Sequence, residues 1–136
     1  MKVAIYTRVA SFHPHDHAQG HARQEANCRT YAEDRGWEVV DVYSDTGMSG
    51  GERARMLHDG ISGDFEAVLT WDITRLGRKP GDLEAVLDSS LRVFTANGQF
   101  DSKHPADAFI ARMSAGLSER SSDRERVRVG GPIPLF

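Results

Sequence analysis

The chain has one cysteine, Cys28, in 136 residues. An internal disulfide is therefore excluded and a reducing compartment suits it. Cys28 falls in a helical pattern and reads as a small buried hydrophobe rather than a nucleophile. Long apolar runs are also lacking. None approaches the roughly 18 residues that cross a bilayer, and the opening apolar run meets Arg8 and then a polar, His-rich stretch, so neither a membrane span nor a cleaved leader is expected. The expected location is cytoplasmic. Nor is there an excess of positive charge. The formal net charge is -3, which excludes nucleic-acid binding through bulk charge and leaves only a local basic patch. Arg8, Arg53, Arg55, Arg75 and Arg78 all fall at or near expected loops and strand ends, whereas the acids are spread along helices, so a local positive potential on an acidic body is possible. No internal repeat is found, and the length suits a single core.

What is present is an alternation. Val3 to Tyr6 reads as a buried central strand that stops at Arg8, the kind of strand end where open α/β sheets bind ligands. Phe12 to His21, with Pro14 and Gly20, reads as a mobile loop. A helix follows, with Ala18, Ala22, Cys28, Tyr31 and Ala32 on one side and Gly36 as its left-handed cap. Trp37 to Tyr43 reads as a second strand, apolar on both faces and flanked by helices. Asp45 to Gly51 is a glycine-rich turn. Glu52 to Ser62 reads as a helix through Met56, Leu57 and Ile61, weakened by Gly60. Phe65 to Trp71 is the third strand, and Asp72 to Pro80 a basic loop at its end. Asp82 is expected to N-cap a short helix carrying Leu83, Val86 and Leu87. Leu91 to Thr95 is the fourth strand, followed by an Asn97-Gly98 turn. From Pro105 to about Arg128 one long helix is expected, with Phe109, Ile110, Met113 and Leu117 on a stripe that then gives way to charge. The expected fold is an α/β open sheet of about four mainly parallel strands flanked by helices, followed by that helix. The divisions are 1–104 as core, 105–128 as helix and 129–136 as a linker stub.

Five motifs occur in order: Tyr6-Thr7-Arg8-Val9-x-Ser11, Tyr31-Ala32-x-x-x-Gly36-Trp37, Asp45-x-Gly47-x-Ser49-Gly50, Trp71-Asp72-x-x-Arg75-Leu76-x-Arg78, and Phe94-x-Ala96-Asn97-Gly98-x-Phe100-Asp101. Together they resemble the N-terminal catalytic domain of the serine site-specific recombinases, the resolvase and invertase family, and most of all its large-recombinase branch. The resemblance implies a serine hydroxyl that attacks a DNA phosphodiester and holds the 5′ phosphate as an ester, with no metal or other cofactor. It also implies DNA as partner, a homodimer that becomes a tetramer during strand exchange, and no small-molecule substrate. Guanidiniums suit that chemistry because each donates a fork of hydrogen bonds to the charge that builds up on phosphorus. Arg8, Arg75 and Arg78 match the family's arginines, while Arg53 or Arg55 fills a third role. Asp45 and Asp72 are candidate acids that either move a proton or order the arginines. On the long helix, Arg120, Arg124, Arg126 and Arg128 are expected to reach toward DNA.

Two departures stand out. The nucleophile position holds Ala10, which has no hydroxyl, so strand cleavage is expected to fail. Ser11 is the neighbouring hydroxyl, but alternation along an extended chain aims it away from the arginines. Thr74 stands where the family carries an aspartate. The resemblance further implies that the chain ends where a DNA-binding part would begin. A noncatalytic dimerising or regulatory module derived from the family is the alternative. A His-rich metal-binding module is a second one, in which His13, His15 and His17 at two-residue spacing would share one face of an extended segment.

Overall fold

The computed structural model describes residues 1–9, 14–47, 50–77, 80–98, 100–104 and 107. Its frame is a four-stranded, all-parallel sheet in the order β2-β1-β3-β4, with β1 over Lys2–Val9, β2 over Glu38–Thr46, β3 over Ala67–Thr70 and β4 over Arg92–Thr95. Three helices connect them: α1, Pro14–Asp34; α2, Gly51–Ile61; and α3, Pro80–Asp88. The β-branched and apolar residues of β1 and β3 are buried from both sides, as parallel strands between helices require. Helix α1 covers one face through Cys28 and Ala32 over Val3, Ile5, Ala67, Leu69 and Phe94. Helices α2 and α3 cover the other through Met56 and Val86 over Ala4, Tyr6, Tyr43, Val68 and Val93. Burial pushes the Cys28 thiol up to about 12, with the charge of Glu25 adding to it, so the thiolate a nucleophile needs does not form at neutral pH. Among the described residues no helix is long and apolar enough to cross a membrane.

Several elements differ from the sequence reading. The segment expected to be a mobile loop is helical from Pro14, because proline is tolerated in a first turn and Gly20 lets the helix lie directly on Val9. Ala22 is exposed, and the buried line of α1 runs instead through Gln24, Cys28 and Ala32. The second strand begins after Trp37 and, though flanked by α1 and α2 as expected, lies at the sheet edge and is half exposed. Asp45 belongs to the end of that strand and not to the turn. Asp82 sits inside the first turn of α3 rather than capping it. Ile61 is 68% exposed, so it does not join the core stripe.

One irregularity sets the geometry of the site. In the β1–β2 ladder Val3 pairs with Val39 and Ala4 with Asp41, so Val40 is an extra residue, a bulge. After it the faces of β2 exchange: Val39 and Val42 lie with α1, whereas Tyr43 and Asp45 join Tyr6 on the opposite side. The bulge, together with the Asp41 carboxylate accepting the Val42 N–H at 2.8 Å, also blunts this open edge against pairing with another chain. At the other edge the chain returns after a turn at Gly98, φ 77°. There Arg92 donates a fork to Asp101 at 3.0 and 2.6 Å, and Ser102 bonds the main chain of Val93, so β4 is covered.

Gly60, expected to weaken α2, is there for packing: a Cβ at that position would stand 2.6 Å from Leu91 Cδ1 and 2.9 Å from Phe65 Cε2. Overpacking of about 1–3 kcal/mol outweighs the ~1 kcal/mol gained in helix propensity. Gly60→Ala is therefore expected to lower stability by about 1 kcal/mol, a fall of roughly 5 °C in Tm by calorimetry.

Candidate functional site

The C-terminal ends of parallel strands leave main-chain groups and loop side chains facing one edge, and ligands gather there. In this sheet that edge brings together the end of β1, the end of β2, the first turn of α2 and the loop after β3. Asp45, 2% exposed, is the hub of the β2 end. Its carboxylate accepts the Tyr6 hydroxyl at 2.8 Å and the N–H groups of Glu52 and Arg53 at 3.1 and 2.9 Å. It thus caps α2 from a neighbouring strand, doing what the side chain of Gly50 cannot. Burial, and then the hydrogen bond to Asp45, hold the Tyr6 phenol well above its usual range, so it remains a donor throughout the neutral region.

Helix phase gives Arg53 and Arg55 different surroundings. Met56 and Gly60 are the buried residues of α2, and Arg53 lies one turn before Met56 on the same side. Its side chain runs inward, with Nε donating to the Leu76 carbonyl at 2.7 Å and Nη2 to that of Asp82 at 2.5 Å. Arg53 therefore braces the loop after β3 against the start of α3. Arg55 points outward, forking onto Glu52 at 2.8 and 3.0 Å and stacking over the Tyr43 ring at 4.5 Å.

Beyond β3, Asp72 accepts the Thr74 N–H at 3.0 Å and the Thr74 hydroxyl, which starts a short 3-10 turn over Ile73–Arg75. That turn aims Arg75 at β1. Arg75 Nη1 donates to the Arg8 carbonyl at 3.3 Å, while Arg8 Nη2 reaches the Thr74 carbonyl at 3.5 Å. The two side chains are thus crossed, the Arg75 guanidinium on the main chain of Arg8 and the Arg8 guanidinium on the main chain of Thr74, the residue before Arg75. Arg75 Nε is buried without a hydrogen-bond partner among the described residues, its ion pair with Asp72 Oδ2 being long at 3.7 Å. A buried donor of this kind has lost water without gaining an acceptor, a cost that an incoming anion would relieve.

Arg8, Arg75, Arg53, Asp45 and Asp72 are therefore brought to one edge. Ala10, Ser11, Arg78, Arg120, Arg124, Arg126 and Arg128, with the long helix from 105 and the stub 129–136, lie outside the described residues, apart from a helical position at Asp107. His13 also lies outside them, but His15 and His17 fall in the first turn of α1. The backbone there is thus helical and not the extended segment expected. Among the described residues no group of three or more His, Cys, Asp or Glu could hold a metal ion. Two residues at the site escaped the sequence reading. Tyr6 stood in a motif but was not assigned to the site. Gln24 was overlooked, although a polar side chain four residues before the buried Cys28 is a recognisable signal.

Comparison with known proteins agrees with this arrangement. The family model described as the resolvase N-terminal domain matches residues 3–131. The N-terminal catalytic domain of TP901-1 integrase superposes with a TM-score of 0.73 at 25% identity, over 92% of this chain and 99% of that one. A resolvase family site-specific recombinase from Streptococcus pneumoniae gives 0.74 at 23% identity, over 95% and 93%. The C-terminal catalytic domain of ISC1926 TnpA, an IS607-like serine recombinase, gives 0.55 at 22%, over 71% and 69%. No curated protein sequence matches significantly. The chain belongs to the resolvase family and has the fold of a serine recombinase N-terminal catalytic domain.

Proposed function

We propose that this domain grips one DNA phosphate at the ends of β1 and β3 through Arg8 and Arg75, with Arg78 joining them, and that it lacks strand-cleaving activity because position 10 is alanine. The crossed arrangement of Arg8 and Arg75 carries the reading. Two guanidiniums, one from the end of β1 and one from the 3-10 turn after β3, come together where the strands end, and one of them keeps a buried Nε–H whose nearest acceptor among the described residues, Asp72 Oδ2, is 3.7 Å away. A phosphate is a strong acceptor whose oxygens match the planar fork of a guanidinium, and it would replace two weak main-chain contacts by charge-assisted ones. Asp72, engaged as the cap of the 3-10 turn, orders Arg75 rather than moving a proton. Arg53 keeps the loop in place from behind. Arg120, Arg124, Arg126 and Arg128 add contacts to the DNA backbone, in a dimer that assembles to a tetramer on DNA. Ala10 equally suits a second reading, in which the domain regulates an intact relative by co-assembly without cleaving anything itself.

The test is binding of a short DNA duplex by anisotropy at several salt concentrations. Arg8→Ala and Arg75→Ala are each expected to weaken binding by about tenfold and to make the salt dependence shallower by about one phosphate contact. Arg55→Ala, whose guanidinium is occupied on Glu52, is expected to leave the slope unchanged. If Arg8→Ala and Arg75→Ala bind as the parent does, the phosphate reading is wrong.

A further inference from the structure

Helix α1 changes character along its inward side. Toward its C-terminal end Cys28 and Ala32 make an ordinary apolar contact with the sheet. Toward its N-terminal end the residues one and two turns earlier are Gly20, His21 and Gln24, and these meet the last three residues of β1 one by one. Gly20 lies so close that a Cβ there would stand 2.6 Å from Val9 Cγ1. His21 bridges two strands: Nδ1 is 2.6 Å from the Thr7 hydroxyl on β1 and Nε2 is 3.0 Å from the Thr46 hydroxyl on β2. The Thr7 hydroxyl, fully buried, also meets Ser44 Oγ at 2.7 Å. Gln24, 7% exposed, clasps one residue from both ends, its Oε1 accepting the Arg8 N–H at 3.0 Å and its Nε2 donating to the Arg8 carbonyl at 2.9 Å.

The β1–β3 ladder ends at Tyr6, paired with Thr70, so Arg8 stands two residues past the support of that strand. Gln24 supplies the support instead, and its reach depends on where α1 sits. A helix that rested on the strand ends through Gly20 alone could slide, because dispersion contacts have no direction. An imidazole with one nitrogen on each of two strands fixes both height and rotation. The same Arg8 carbonyl also accepts from Arg75, so the placement of this peptide group sets the distance between the two guanidiniums.

We propose that His21 is a positioning residue for the arginine site: by bridging Thr7 and Thr46 it seats the start of α1 so that Gln24 holds the main chain of Arg8 and keeps its guanidinium beside Arg75. The proposal rests on the reading of Arg8 and Arg75 as a phosphate-binding pair, and its test separates the two. Amide hydrogen exchange is followed by NMR on the whole chain, alongside duplex DNA binding at several salt concentrations. In His21→Phe the Arg8 amide is expected to exchange about tenfold faster, with the Leu69 amide in the core of β3 unchanged. DNA affinity is expected to fall by about fivefold with the salt slope unaltered, since no phosphate contact is removed. His21→Gln, whose amide reaches the Nε2 position and so keeps the bond to Thr46, is expected to recover most of both. Gln24→Met, similar in shape but unable to clasp Arg8, is expected to reproduce His21→Phe and serves as the test should that variant not fold. Unchanged exchange at Arg8 in these variants overturns the proposal. Faster exchange at Arg8 with unchanged DNA affinity leaves the clamp standing and instead removes Arg8 from phosphate binding.

Discussion

The Ala10→Ser variant is expected to become covalently joined to duplex DNA carrying a recombination site, whereas the parent chain forms no such adduct. The expectation comes from bond accounting. A serine oxygen attacking phosphorus forms the P–O ester, the 3′ oxygen of the broken strand leaves, and the serine proton ends on that oxygen. A methyl group has neither the lone pair nor the proton, so no arrangement of guanidiniums around Ala10 can start the step. Guanidiniums lower such a barrier only once a nucleophile is present, because the charge they stabilise develops in the pentacoordinate state. Denaturing gel electrophoresis of protein with labelled DNA reads the result directly. The adduct should also disappear in Ala10→Ser combined with Arg8→Ala. If Ala10→Ser gives none while still binding the duplex, a serine at position 10 is not sufficient for cleavage.

Asp45→Ala is expected to be the most destabilising single change at the site, at about 3 kcal/mol, or roughly 10–15 °C in Tm. The carboxylate serves three donors at once, the Tyr6 hydroxyl and the N–H groups of Glu52 and Arg53. Alanine would leave a buried phenol and the start of α2 without acceptors. The effect should extend to DNA affinity, because Arg53 is fixed to Asp45 by its main chain and to the Leu76 loop by its side chain. Asp45→Asn, which keeps one acceptor oxygen, should lose about half as much. Tyr6 adds a pH signature. Its phenol is raised by burial first and by Asp45 second, so the folded state holds the proton more tightly than the unfolded one. The sign follows: this contribution is intact below the unfolded value of about 10 and stability falls as the pH rises above it. Calorimetry of the parent and of Tyr6→Phe across the alkaline range should show a shallower decline in Tyr6→Phe. Equal slopes would mean that Tyr6 is not the group responsible.

Much of the frame was legible because its signals are local. Short apolar runs bounded by Gly, Asp and Asn marked three of the four strands closely, and the strand-end arginines followed from where those runs stop. The start of α1 was misread because Pro14, three histidines and Gly20 are loop formers by composition. The helix persists there through a tertiary contact, Gly20 on Val9, that composition does not carry. Arg53 and Arg55 looked equivalent by spacing from the Ser-Gly turn. The phase of Met56 in α2 distinguishes them, and that phase was available in the sequence once the helix was drawn as a wheel.

The position of Asp45 is the clearest division between the two levels. Sequence alone determined the parallel α/β frame, the arginines at the strand ends and the missing hydroxyl at position 10, because each depends on residue type and short-range periodicity. It did not determine which face of the sheet Asp45 occupies. Strict alternation from Val39 would send Asp45 to the α1 side, away from Tyr6 and α2. One extra residue, Val40, reverses that parity, and an insertion in a ladder exists only when a second strand is there to be out of step with. For the same reason the partners of Gln24 and His21 were decided only in three dimensions: Arg8, Thr7 and Thr46 are distant in the chain and adjacent only where α1 crosses the strand ends.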